Sequence, residues 1–449
     1  MHIVTTSSRS GSLTCLTPNF GRSRMYLDRG KLDDAGIYEQ ELATLPIERI
    51  DVARPQLFQL GLAPKYFERL RREAPVHYCS DGVYGPYWSI TRHRDVERVE
   101  LDTETFSSDH FNGGVTIAAH PNDPQFFPSF IAMDPPRHGP QRKVVAPAFS
   151  PQRLTEMAPQ VRAWSQEILD GLPIGEPFDW VDRVSVELTA RTLASLLGYP
   201  LERSRDLIRW SEAMVALPGS PGFPTMESKL GVMKECFDTF DLDLGGAAAC
   251  SRRQRPYLDA RDAPGNTRHA ARGTLRQYRA AHRRGKRHDP QQHQRQRRCV
   301  RPISRGTGQA PAAGRGGRPL PGGVALADSA RAYAANRDAG RVAGGQRIRK
   351  GDKVILWYLS ANRDDAVFPD PDDFILGRPN ARRQLAFGLG VHRCIGARLA
   401  DLQIRTLWEE ILLRFPRIDV VQPPVRTLST FIHGYPELLV RIPERGAGR

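Results

Sequence analysis

A mainly helical protein with a minor β component is what the globular parts of this 449-residue chain predict. Two observations carry that reading. Apolar residues recur at helical spacing through 158–172 and 184–197, and a β-branched and aromatic run at 353–359 has the character of a strand. A third amphipathic stretch follows a glycine-rich loop and sets Leu399, Leu402, Leu407 and Ile411 on or near one face. Hydrophobic residues make up 40% of the chain, enough for a sizeable core, so disorder of the whole chain is excluded.

The six cysteines, at positions 15, 79, 236, 250, 299 and 394, are too sparse and too irregularly spaced for a disulfide framework. A reducing cytoplasm is the expected compartment. The N-terminus lacks the apolar run of a secretory signal, and no window approaches the roughly 18 apolar residues of a spanning helix. Residues 1–25, polar and rich in Ser and Thr, read as a loose leader.

The formal net charge of +15 invites a nucleic-acid reading, and its location argues against one. Residues 251–340 hold 20 Arg and 1 Lys against 5 Asp and no Glu, a net of +16 that leaves the other 359 residues at −1. The same ninety residues contain only Leu258, Leu275, Val300, Ile303, Leu320, Val324 and Leu326 of the large aliphatic, Phe, Met and Trp set, against 18 Gly plus Pro. That composition does not build a core.

Chemistry enters at Phe387-Gly388-Leu389-Gly390-Val391-His392-Arg393-Cys394-Ile395-Gly396, which places a cysteine just before a helix. The positive end of the helix dipole favours thiolate over thiol, and Gly388, Gly390 and Gly396 remove side chains where backbone must approach a flat ligand. A lone cysteine is ordinarily a small buried hydrophobe; the flanking pattern points elsewhere. The loop resembles the haem-thiolate loop of the cytochrome P450 monooxygenases at every defined position. The resemblance implies haem b with Cys394 as its axial iron ligand, Phe387 packed near the thiolate, and His392 hydrogen-bonded to a haem propionate. It also implies a P450 fold: mainly α with a small β lobe, the haem buried between a central helix and the Cys394 helix.

Upstream, Met133-Asp134-Pro135-Pro136-Arg137-His138 and Arg142, followed by Ala148-Phe149-Ser150-Pro151, resemble the family's stretch in which a His and an Arg bind propionates. His138 and Arg142, four apart, would share a helix face and could clamp two carboxylates. Gly351-Asp352-Lys353-Val354, Ser360-Ala361-Asn362-Arg363-Asp364 and the Pro369 to Arg378 region resemble the approach to the family's meander. The resemblance covers about 45–245 and 345–449, and its N-terminal part is most similar to the soluble bacterial alkane-hydroxylase branch. It divides the chain into a leader (1–25), an N-terminal P450 part (26–245), an aberrant Arg/Gly/Pro-rich segment (246–344) and the haem-thiolate part (345–449).

The family's central helix with its acid/alcohol pair, and its later E-x-x-R, have no counterpart in the middle of the chain. Glu68 to Arg71 and Glu202 to Arg205 have the latter spacing but come too early to serve. Reading the codons of 275–296 one base later permits a sequence containing the motif G-G-N-D-T-T, and the same shift over 322–330 permits E-V-L-R. A slip of frame, beginning near 244–249 and undone near 341–345, would explain both losses and the odd composition.

The expected function is O2-dependent hydroxylation of an unactivated C–H bond in a small hydrophobic, alkane-like substrate, with electrons from a ferredoxin and its reductase, by a monomer that spans no membrane and binds no nucleic acid. With the acid/alcohol pair absent as written, no catalytic residue is assigned. An inactive or misfolded haem-binding remnant and a basic nucleic-acid-binding protein are the alternatives.

Overall fold

The computed structural model of the chain describes residues 35–118, 130–216, 222–246, 330–335, 345–424 and 426–446. Three helices, α1 (Ala35–Thr44), α2 (Pro55–Leu60) and α3 (Ala63–Glu73), lead into the antiparallel pair β1 (Val76–Cys79) and β2 (Tyr87–Ile90). α3 forms because Ala63, Tyr66, Phe67 and Leu70 recur on one buried face while Lys65, Glu68 and Arg72 face outward. Helix α4 (His93–Leu101), the short strand β3 (Phe106–Ser107), α5 (His138–Val145) and α6 (Pro151–Asp170) follow. After β4 (Pro177–Asp179) come α7 (Glu187–Leu197), α8 (Ser204–Val215) and α9 (Met226–Gly246). The C-terminal part supplies β5 (Ala330–Ala335), β6 (Lys353–Trp357), α10 (Tyr358–Ala361), α11 (Ala397–Arg414), β7 (Asp419–Val420) and β8 (Leu439–Arg441).

The larger sheet runs in the order β1-β2-β6-β5-β3 and the smaller in the order β4-β8-β7. β2 lies parallel to β6, with Trp88 opposite Val354, while β5 pairs antiparallel with both β6 and β3. Packed on the helical side, α6 and α11 share a core of Val161, Trp164, Ile168, Ile404, Leu407 and Trp408. Each such aliphatic side chain contributes about 1.5–3 kcal/mol on burial. Ser150 caps α6 by accepting a hydrogen bond from the Arg153 amide at 3.3 Å, and Pro151 opens the helix where no amide donor is needed.

The helical expectations at 158–172 and 184–197 fall on α6 and α7, each with a shifted start. The strand expected over 353–359 stops at Trp357, because Tyr358 and Leu359 begin α10. One expectation is corrected. Residues 330–335 belong to the segment read as unable to build a core, yet they form β5, with residues 331–335 buried between β6 and β3. Alanines lay outside the set used to judge that segment, and they suit a crowded central strand whose ladder is made by backbone groups. The leader, residues 247–329 and residues 336–344 lie outside the described residues.

Candidate functional site

The Cys394 loop is a turn folded back on itself. The Phe387 carbonyl accepts the Cys394 amide at 2.8 Å, the Leu385 carbonyl accepts that of Gly388 at 2.8 Å, and the Asn362 side chain anchors the Leu385 amide at 2.8 Å. Gly388 and Gly390 have φ of 66° and 63°, the left-handed region that favours glycine. A Cβ on Gly390 would stand 2.9 Å from the Glu100 carbonyl oxygen, so the loop can lie against α4 only with glycine there. Gly396, just before α11, has an ordinary φ of −82°. Cys394 itself is buried.

Beside the cysteine, basic side chains from three distant parts of the chain converge. His138, at the start of α5, meets His392 edge to face with ring centres 4.6 Å apart, and Phe130 flanks His138 at 5.8 Å. Both histidines are buried. Arg142, one turn along α5, donates to the Arg393 carbonyl at 2.6 Å and lies over the Phe130 ring. Burial pulls its pKa down from the ordinary value, with the like charge of Arg331 adding to this and the Cys394 sulfur opposing it, so Arg142 sits within electrostatic reach of both.

Arg331 was not singled out in the sequence. It projects from β5 and donates to the Ser108 hydroxyl at 3.2 Å and the Ile131 carbonyl at 3.1 Å. The nearby Asp134 carboxylate is engaged by the Ser107 hydroxyl at 2.5 Å and the Ser108 amide at 2.8 Å. Its pKa is raised by burial, although those two bonds work the other way. Arg142 Nη1 and Arg331 Nε are buried with no partner among the described residues. Two guanidinium groups with donors to spare, next to a buried thiol, fit a flat ligand that carries carboxylates at its edge and a soft-ligand metal at its centre.

Arg378 wraps the loop before the cysteine turn, donating to the carbonyls of Pro369, Asp370 (2.8 Å) and Asp373 (2.7 Å). Arg71, set aside in the sequence as too early in the chain, reaches across to the Ser360 hydroxyl at 3.0 Å and its carbonyl at 3.3 Å. Of two further stretches that are family-like in sequence, Phe127 to Met133 and Ala216 to Ser220, residues 127–129 and 217–220 lie outside the described residues.

The family profile for Cytochrome P450 matches residues 340–433, the part that holds the cysteine turn. Linalool 8-monooxygenase of Pseudomonas putida is 30% identical over 421 residues, spanning 88% of this chain and 99% of that enzyme. The chain belongs to the cytochrome P450 family. Among solved structures, this P450 is similar to CYP153D17 from Sphingomonas sp. PAMC 26605, with a TM-score of 0.77 and 34% identity over 89% of this chain and 100% of that one. It is likewise similar to Cytochrome P450-153 from Novosphingobium aromaticivorans, at 0.74 and 32% over 87% and 98%. The family's cofactor is haem with a cysteine thiolate ligand, its co-substrate is O2, and its members are monooxygenases. Among the described residues, no helix is long and apolar enough to cross a membrane.

Proposed function

We propose that this P450, in the form with its reading frame restored across 244–345, hydroxylates an unactivated C–H bond of a small, alkane-like molecule. Cys394 would hold the iron, and His138, Arg142 and His392, joined by Arg331 in the chain as written, would hold the haem carboxylates. The observation that carries the reading is the buried Cys394 thiol beside guanidinium donors without a partner among the described residues. Haem, when bound, supplies the O2-activating redox chemistry, and a thiolate ligand favours O–O cleavage.

The chain's own residues do the holding. The 2.8 Å bond from the Cys394 amide to Phe387 fixes the sulfur's direction, α11 begins just beyond it with its positive end toward the thiolate, and Gly388 and Gly390 let the turn lie close against α4. Linalool 8-monooxygenase and, at 27% identity, the methyl-branched lipid omega-hydroxylase of Mycobacterium bovis support an aliphatic substrate.

Soluble bacterial P450s usually draw electrons from a ferredoxin and its reductase. Arg393 and Arg398, both exposed beside the cysteine turn, are the sites we assign to docking of an acidic ferredoxin. Arg405 contributes less, because Asp401 neutralises it at 3.0 Å.

Cys394→Ala tests the reading. Made in the frame-restored chain, the variant should lose the parent's ferrous–CO Soret band and all hydroxylation of medium-chain alkanes and of linalool. Retention of the parent band would reassign the ligand, while turnover of linalool alone would replace the alkane class by terpenoids.

A further inference from the structure

We propose that Glu100, on α4, is a positioning residue for the thiolate turn, acting together with Tyr358 against the backbone of Gly388 and Gly390. This rests on Cys394 as the haem ligand.

Glu100 is fully buried, at 0% exposure, at the C-terminal end of a helix, where a carboxylate gains nothing from the dipole. A buried acid in such a place needs donors, and neutral phenols from two other elements supply them. Tyr358, the first residue of α10, donates to Oε1, and Tyr333 of β5 donates to Oε2 at 2.9 Å.

The carboxylate lies directly behind the cysteine turn. A Cβ on Gly388 would stand 3.5 Å from both Glu100 Oε1 and the Tyr358 hydroxyl, and one on Gly390 would meet the Glu100 carbonyl at 2.9 Å. The same turn closes on Cys394 through the Phe387 carbonyl. The other end of α4 is fixed as firmly. His93 Nε2 bonds the Arg383 carbonyl at 2.8 Å, the Asp364 carboxylate accepts the His93 amide at 2.9 Å, and Glu97 pairs with Arg383 at 3.4 Å. Thus α4 is tied at both ends to the segment that carries the ligand, and Glu100 is the tie nearest the sulfur. The two glycines bring it there, since any side chain at Gly390 would push the turn off the helix.

The test uses Glu100→Gln, Tyr358→Phe, the double variant, and Glu410→Gln as a control that removes another buried carboxylate, on α11. In the haem-free chain, amide exchange of Gly388, Gly390 and Cys394 should quicken about tenfold or more in Glu100→Gln relative to α6 and α11, and the double variant should be no faster than the worse single one. Glu410→Gln should leave the turn's exchange unchanged. In haem-loaded, frame-restored protein, which keeps Glu100, Tyr358 and the cysteine turn, the ferrous–CO band should move from the parent position in Glu100→Gln but not in Glu410→Gln. Uniform quickening across turn and helices, or the same turn response from Glu410→Gln, would reduce Glu100 to a general stabiliser and overturn the proposal. Failure of the ligand reading shows separately, as a parent-like band in Cys394→Ala.

Discussion

The α6–α11 bundle and the cradle beside Cys394 both draw arginines inward but leave them in opposite states. In the bundle, Arg162 and Arg414 divide the oxygens of the buried Glu410, at 2.5 and 2.6 Å, and Gln166 adds a third donor at 3.2 Å. In the cradle, Arg142 and Arg331 each keep a buried nitrogen without a partner among the described residues. An unsatisfied buried donor costs about 1–3 kcal/mol, and these two belong to guanidinium groups within electrostatic reach of each other, where a ligand's carboxylates would supply acceptors. The first region is built to be stable without a ligand, and the second is complete only with one.

The largest expected effect comes from restoring the frame across 244–345. The chain as written should take up little haem and turn over no substrate, whereas the restored chain should bind haem near one to one and hydroxylate alkanes. Full loading and turnover by the unrestored chain, read from haem stoichiometry and product analysis, would make residues 251–329 functional sequence.

Next in size is the contrast between the two arginine sets. In the frame-restored chain, Arg142→Gln should weaken haem binding about tenfold or more while leaving the haem-free melting temperature within about 1 °C. Glu410→Gln should lower that temperature by about 2–4 °C and leave haem affinity alone. Titration calorimetry and thermal melts separate them, and an exchange of the two phenotypes would erase the distinction.

A smaller effect follows from protonation. Burial pushes the Glu410 pKa up, but hydrogen bonds from Arg162, Arg414 and Gln166 outweigh it and hold the group below its ordinary 4.5. A depressed carboxylate contributes stability that is present above the unfolded pKa and lost as pH falls through the folded one. Melting temperature should therefore fall less steeply below about pH 4.5 in Glu410→Gln than in the parent, and identical slopes would remove Glu410 from the acid response. The smallest effect belongs to the surface: Arg398→Glu should slow reduction by an acidic ferredoxin roughly threefold at low ionic strength and not at high. Salt-independent kinetics would move the docking site elsewhere.

What the sequence disclosed divides along the same line. Cys394, His392, Gly388 and Gly390 could be read because their chemistry is written within ten consecutive residues, and α6 and α11 because apolar spacing at i, i+3 and i+4 is local. His138 and Arg142 could be read as a pair, but not that His138 meets His392 and Arg142 the Arg393 carbonyl. Arg331 and Glu100 stayed hidden for a different reason. Glu100 meets Tyr333 across 233 positions, and Arg331 sits in a stretch whose composition argued against any core. Neither neighbourhood carries a spacing that marks it; only the sheet order and the contact of α4 with the cysteine turn create their roles.

Strand β5 has one more implication. Its place between β6 and β3 is defined by main-chain ladders, which recognise any extended segment of suitable length and small enough side chains. The slot is therefore a template, indifferent within limits to the letters threaded through it. A restored reading frame would present a different segment to the same groove, and its register there would be set anew. What Arg331 brings to the cradle is then a property of alignment along that groove, and a slip of one residue would turn the guanidinium to the opposite face of the sheet.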